Sequence, residues 1–204
     1  MDLKLSQNDN LGRIKLKPKT GNESLTFKEK EIGKKLIDFW MWSVSDIVSN
    51  ATRGRFAEFI VATAMNVDLS SVRDEWSAYD LTSPEEIKIE VKSASYLQSW
   101  SQKKLSEITF DIRATRKVIG DSGTLSDKPS RPADVYVFCL LKHKDKKTVE
   151  PLNLDQWEFF VLSTSEIDNY KRSQSSITLN SLKKMAKEIT FDSLRETITE
   201  KYKQ

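Results

Sequence analysis

Two rhythms of apolar residues divide this chain into elements. In Ile87-Lys88-Ile89-Glu90-Val91-Lys92 apolar and charged positions alternate. That period of two puts Ile87, Ile89 and Val91 on one face of a strand and Lys88, Glu90 and Lys92 on the other. Just before it, Ser83-Pro84-Glu85-Glu86 has turn chemistry. A loop centred on Glu85 sets Asp80 opposite Glu90 across a hairpin, and cross-strand partners share a face. The helical rhythm appears upstream. Thr26-Phe27-Lys28-Glu29 has the form of a capping box and predicts a helix to about Ser49, with Ile32, Leu36, Phe39, Trp40, Val44, Ile47 and Val48 on one stripe. A second helix is predicted from about Thr52 to Met65. It is apolar all round except for Glu58, and such helices are buried.

The rest of the chain reads as strands followed by closing helices. Ile108, Phe110 and Ile112 mark a strand over Glu107–Ala114. Asp134–Leu141 is a nearly continuous apolar run, as a central strand should be, and Trp157–Leu162 is another strand. A helix is predicted over about Ser165–Arg172, a short strand at Ile177–Leu179, and two helices capped by Asn180 and Asp192. Residues 1–23 read as a loose arm with a short basic strand near Arg13–Lys17. Residues 24–204 read as a single domain with its core at about 51–162. The fold class is α/β (α+β), a central mixed β-sheet flanked by helices, with extra N- and C-terminal helices.

Composition narrows the chemistry. The 204 residues carry a net charge of +3, too little to demand nucleic acid unless the charge is localised. No apolar run approaches the roughly 20 residues of a membrane span, and the N-terminus lacks a signal-peptide core, so the cytoplasm is the expected location. One cysteine, Cys139, and one histidine, His143, exclude an internal disulfide and make a structural zinc site implausible. No Gly-rich nucleotide fingerprint is present; Gly120 and Gly123 sit in a loop sequence. Catalysis would therefore rest on carboxylates and lysine.

Asp80, Glu90 and Lys92 supply those types, and Glu58 is a charge its own helix does not explain. Burying a lone carboxylate is costly unless it is paired or bound to a cation; an ion pair with Arg55 one turn away is the simpler alternative. Acidic-x-Lys also occurs at Asp2-Leu3-Lys4 and Asp145-Lys146-Lys147, so Glu90-Val91-Lys92 taken alone reads as a solvated strand face; the preceding Asp80, Glu58 and the buried strands that follow turn the reading toward a site. Carboxylates holding Mg²⁺, with a lysine beside them, are suited to activating water on a phosphodiester.

In this order, a helix with Glu58, then Asp80, then Glu90-Val91-Lys92, then Gln98, the chain resembles the PD-(D/E)XK nuclease superfamily, the restriction-endonuclease-like fold, over about Ala51 to Leu141. The resemblance implies that Asp80 and Glu90 bind Mg²⁺ (or Mn²⁺), that Glu58 adds an acidic ligand, and that Lys92 is the catalytic lysine. Gln98 would match the glutamine that some members place after the lysine strand. It implies a metal-dependent endonuclease of restriction or defence type acting on duplex DNA, often as a homodimer. RNA as substrate is left open, as is a non-catalytic binding module on the same fold. Two features depart from the pattern. Tyr79 rather than proline precedes Asp80, and the strand at Glu107 arrives sooner than a full second core helix allows. That helix is expected to be short, around Tyr96–Lys104, or the sheet to be elaborated. Arg53, Arg55, Lys103, Lys104, Arg113, Arg116 and Lys117 flank the proposed site as candidate phosphate contacts.

Overall fold

The computed structural model describes residues 14–116, 118–119 and 124–204, with backbone alone at 118–119 and 124–125. Its centre is a four-stranded mixed sheet in the order β3-β4-β8-β9. β3 is Leu81–Thr82, β4 Lys88–Ser95, β8 Val135–Leu141 and β9 Trp157–Ser163. β3 and β9 run antiparallel to their neighbours, whereas β4 and β8 are parallel, with Glu90 beside Tyr136 and Lys92 beside Phe138.

β8 is buried along its whole length, so its uniformly apolar sequence serves two cores at once. On one face Val135, Val137, Cys139 and Leu141 join Ile89, Val91, Trp157 and Phe159 beneath helices α2 (Asn50–Ala64) and α5 (Leu194–Tyr202). On the other, Tyr136, Phe138 and Leu140 join Phe160 and Leu162. That face is covered by a two-stranded ribbon of β5 (Thr109–Asp111) and β10 (Ser176–Thr178), and by α3 (Thr164–Asp168) and α4 (Leu179–Met185). Cys139 is fully buried and burial pushes its thiol up, so it is an inert core residue as its strand context predicts. Trp157 satisfies its ring N–H on the Pro151 carbonyl at 2.9 Å, which lets so large a side chain be buried. A further small ribbon joins β6 (Val118–Ile119) to β7 (Thr124–Leu125). Among the described residues no helix is long and apolar enough to cross a membrane.

Three expectations need correction. The helix predicted to begin near Thr26 is instead a hairpin, β1 (Ser24–Phe27) and β2 (Lys30–Lys35), followed by α1 (Leu36–Val44). Lys28 and Glu29 both take positive φ, which makes the two-residue turn, and Gly33 at φ +74 breaks any helical continuation. The helix starts where the Lys35 N–H finds the Asp38 carboxylate at 2.8 Å. Second, Arg13 lies outside the described residues, and 14–17 form no strand. Third, no helix forms over Tyr96–Lys104. That stretch is a turn-rich connection, and β5 pairs with β10 rather than entering the main sheet.

The N-terminal unit is thinly anchored. Gly21, at φ +90, lets the Trp40 ring come within 3.0 Å of where a Cβ would stand. Yet no residue of α1 is buried, β2 is exposed throughout, and Trp42 is 84% exposed. Trp42→Ala is therefore expected to leave the unfolding free energy within about 0.5 kcal/mol of the native chain, as read by urea denaturation. A large loss would mean that this unit is part of the core.

Candidate active site

The site is built on the short edge strand and its neighbour. Leu81 pairs with Ile89 and Thr82 with Lys88, the register of a loop centred on Glu85. Ser83 holds that loop, its hydroxyl accepting from the backbone N–H groups of Glu85 (3.1 Å) and Ile87 (3.3 Å). One step beyond Leu81, the Asp80 N–H donates to the Ile89 carbonyl at 3.1 Å, and the Asp80 carboxylate accepts from the Val91 N–H at 2.8 Å. Asp80 is thus fixed beside Glu90. On the same face, Lys92 Nζ sits 2.5 Å from Glu90 Oε1.

Electrostatics reflect this crowding. Burial, then the nearby charge of Glu90, push the Asp80 carboxyl up to about 6; the Val91 N–H, Lys92 and Arg73 oppose the shift. Glu90 and Lys92 open into a cavity of about 320 Å³ also lined by Asp111, Arg113 and Tyr136. Burial and the charge of Glu90 raise the Tyr136 phenol as well.

Glu58 comes from α2, on the opposite face of the sheet, but reaches the same end. Arg73 joins the two: its Nη2 donates to Glu58 Oε1 at 2.9 Å and lies 3.7 Å from Asp80 Oδ1, and its Nε also donates to Glu58. Burial raises the Glu58 carboxyl, with Asp80 adding to the shift and Arg73 opposing it. The expected alternative partner is engaged elsewhere, since Arg55 pairs with Glu75 at 2.9 Å.

Gln98 lies past the far end of β4. Its amide nitrogen donates to the Ser95 carbonyl (3.3 Å) and the Ser106 hydroxyl (3.1 Å). It is therefore apart from the Asp80–Glu90–Lys92 group. Of the other candidate contacts, Arg53 is buried, Arg113 pairs with Asp111, Lys104 pairs with Glu107, and Lys103 and Arg116 are exposed. Lys117, Gly120 and Gly123 fall outside the described residues. His143 is half-buried, its Nε2 2.8 Å from the Thr148 hydroxyl.

Sequence reasoning missed Arg73 and Asp111. Arg73 belongs to the irregular stretch before β3 and carries no periodic signal. Asp111 alternates with Phe110 and Ile112 and was legible as an outward position of that strand.

A divalent ion fits this donor set in a limited way. Among the described residues no three His, Cys, Asp or Glu side chains stand together as a ready cage. Mg²⁺, however, is commonly held by one or two carboxylates, completing its shell with water and substrate phosphate. Two partly buried carboxylates side by side, with the charge of Glu90 helping to raise the proton affinity of Asp80, match that requirement.

A comparison with curated proteins finds no match. A family model does match, the one described as bacteriophage T4 endonuclease IV, over residues 4–181. That span takes in β1 through β10 and every residue of the site just described. The chain belongs to the bacteriophage T4 endonuclease IV family, and is a DNA endonuclease.

Proposed function

We propose that the chain hydrolyses DNA phosphodiester bonds in the manner of PD-(D/E)XK nucleases, with Mg²⁺ held by Asp80 and Glu90 and with Lys92 as the catalytic lysine. The observation that carries this reading is the β3–β4 register, which sets Asp80 beside Glu90 and Lys92 on one face. When bound, a divalent ion supplies Lewis acidity at the phosphoryl group and makes water a better nucleophile. The chain's own groups do the rest. Asp80, titrating near 6, is ionised at neutral pH and can bind a cation there. Lys92, beside Glu90, can orient the attacking water and offset the charge that develops on the phosphate oxygens. Arg73 spans Glu58 and Asp80 and balances their charge; a cation shared by those two carboxylates requires Arg73 to withdraw.

A cleavage panel tests this directly. Duplex, single-stranded and branched DNA, and RNA, are incubated with Mg²⁺ or Mn²⁺. DNA cleavage is expected with either ion, to vanish on chelation and to return when the ion is restored. Undiminished cleavage in excess chelator would rule the metal mechanism out.

A further inference from the structure

Among the described residues, Arg53 is a buried cation with no carboxylate paired to it. It stands in the first turn of α2 and is 3% exposed. Its Nε donates to Ser93 Oγ (3.2 Å), Nη1 to the Val48 carbonyl (2.7 Å) and Nη2 to Asn50 Oδ1 (2.8 Å). All three acceptors are neutral. Among the described residues no carboxylate lies within ion-pairing distance; Asp46 acts at longer range. A guanidinium does not give up its proton in proteins, and burying one unpaired is strongly unfavourable. It has five N–H donors, so one on each terminal nitrogen remains for a ligand.

Arg53 lines a cavity of about 320 Å³ together with Asn50, Gly54, Ser93, Gln98 and Ser106. Two further features, independent of Arg53, mark this cavity. A Cβ added at Gly54 would meet nothing within 4 Å, and its φ lies outside the left-handed range. Packing therefore gives no reason for glycine, which weakens a helix relative to alanine; what glycine does is keep the space open. The second is the Gln98 carbonyl oxygen, buried with no hydrogen-bond partner. A ligand offering only an anion leaves that acceptor unsatisfied, whereas a nucleotide with its hydration brings donors as well as a phosphate. The N-cap of α2, Ser49, makes no side-chain cap, so the first-turn N–H groups add positive potential at the same place. The carboxylate on the cavity wall, Glu107, is paired with Lys104 at 2.8 Å.

We propose that this cavity is a backbone-phosphate subsite for the DNA strand. β3 covers only Lys88 and Ile89, so among the described residues the remaining edge of β4, toward the cavity, has no neighbour in the four-stranded sheet. The guanidinium fork suits two oxygens of one phosphate. The anion site stands without the catalytic reading above.

The test is metal-free binding of a labelled oligonucleotide, single-stranded and duplex, across a salt series. Arg53→Gln is expected to weaken binding at least about tenfold and to lower the slope of log affinity against log salt by about 0.7 on single strands or 0.9 on duplex. Gly54→Leu, which fills the cavity, is expected to weaken binding by a similar factor while melting no lower than the native chain, because leucine is the better helix former. If Arg53→Gln does not fold, Gly54→Leu decides alone. Native affinity and salt slope in a folded Gly54→Leu protein overturn the proposal. The assay needs no catalysis, so a failure of the metal mechanism would appear in the cleavage panel and leave this result unchanged.

Discussion

Exchanging Lys92 for methionine is expected to lower single-turnover DNA cleavage by about 10²–10⁴-fold, the range attached to one positioned acid–base or charge-stabilising group. Methionine keeps most of the unbranched stem that lies along the sheet face but loses the ammonium beside Glu90. Lys92 and Glu90 are both partly exposed, so the structural cost of parting them is expected to stay below about 1–2 kcal/mol. Thermal melting should therefore change little. Metal-free oligonucleotide binding should also persist, since the Arg53 cavity is lined without Lys92. This combination separates a catalytic lysine from a merely structural one. Cleavage within tenfold of the native rate, in a protein that melts normally, would remove Lys92 from the mechanism. Loss of melting and cleavage together would make its pairing with Glu90 a matter of stability.

What the sequence made legible depended on whether a local rule set the geometry. The pairing of Asp80 with Glu90 follows from a period of two and one turn, both local, and the register matches. β8 was legible because burial on two faces leaves no room for polar residues. Glu58 stood out as a charge in an apolar helix, but its partner did not, because Arg73 comes from a stretch with no repeating pattern. Asp111 shares the cavity with Glu90 and Lys92 because β5 pairs with β10, a contact made far along the chain that no local rule foretells. Arg53 did carry a signal. It falls four residues before Ala57 and seven before Ile60, on the stripe that α2 buries, so its burial followed from helical spacing. The N-terminal helix misled because Thr26 and Glu29 imitate a cap where Gly33 and two positive-φ residues make a hairpin.

Asp80→Asn is expected to abolish cleavage and, in the absence of metal, to stabilise the fold. Asparagine keeps an oxygen to accept the Val91 N–H, so the local backbone remains held. It removes the negative charge, and with it the oxygen donor that the proposed mechanism assigns to a hard cation. The stability change follows from the direction of the pKa shift. The Asp80 carboxyl is raised from 3.8 to about 6, so between those pH values the folded chain binds more protons at this position than the unfolded chain. Its contribution to stability is therefore present below pH 4 and is lost as pH rises through 6. The loss amounts to about 2–3 kcal/mol at 1.36 kcal/mol per unit. Asparagine has no such titration. The stability difference between Asp80→Asn and the native chain should grow from near zero at pH 4 to about 2–3 kcal/mol at pH 7 in chelator, as measured by urea denaturation. Adding Mg²⁺ should then narrow the gap from the other side, because an ion that binds only the folded native site stabilises it by mass action and gives the variant nothing. A gap that stays constant with pH would mean that Asp80 does not carry its charge against burial and Glu90. A gap that is unmoved by Mg²⁺ would mean that Asp80 holds no metal.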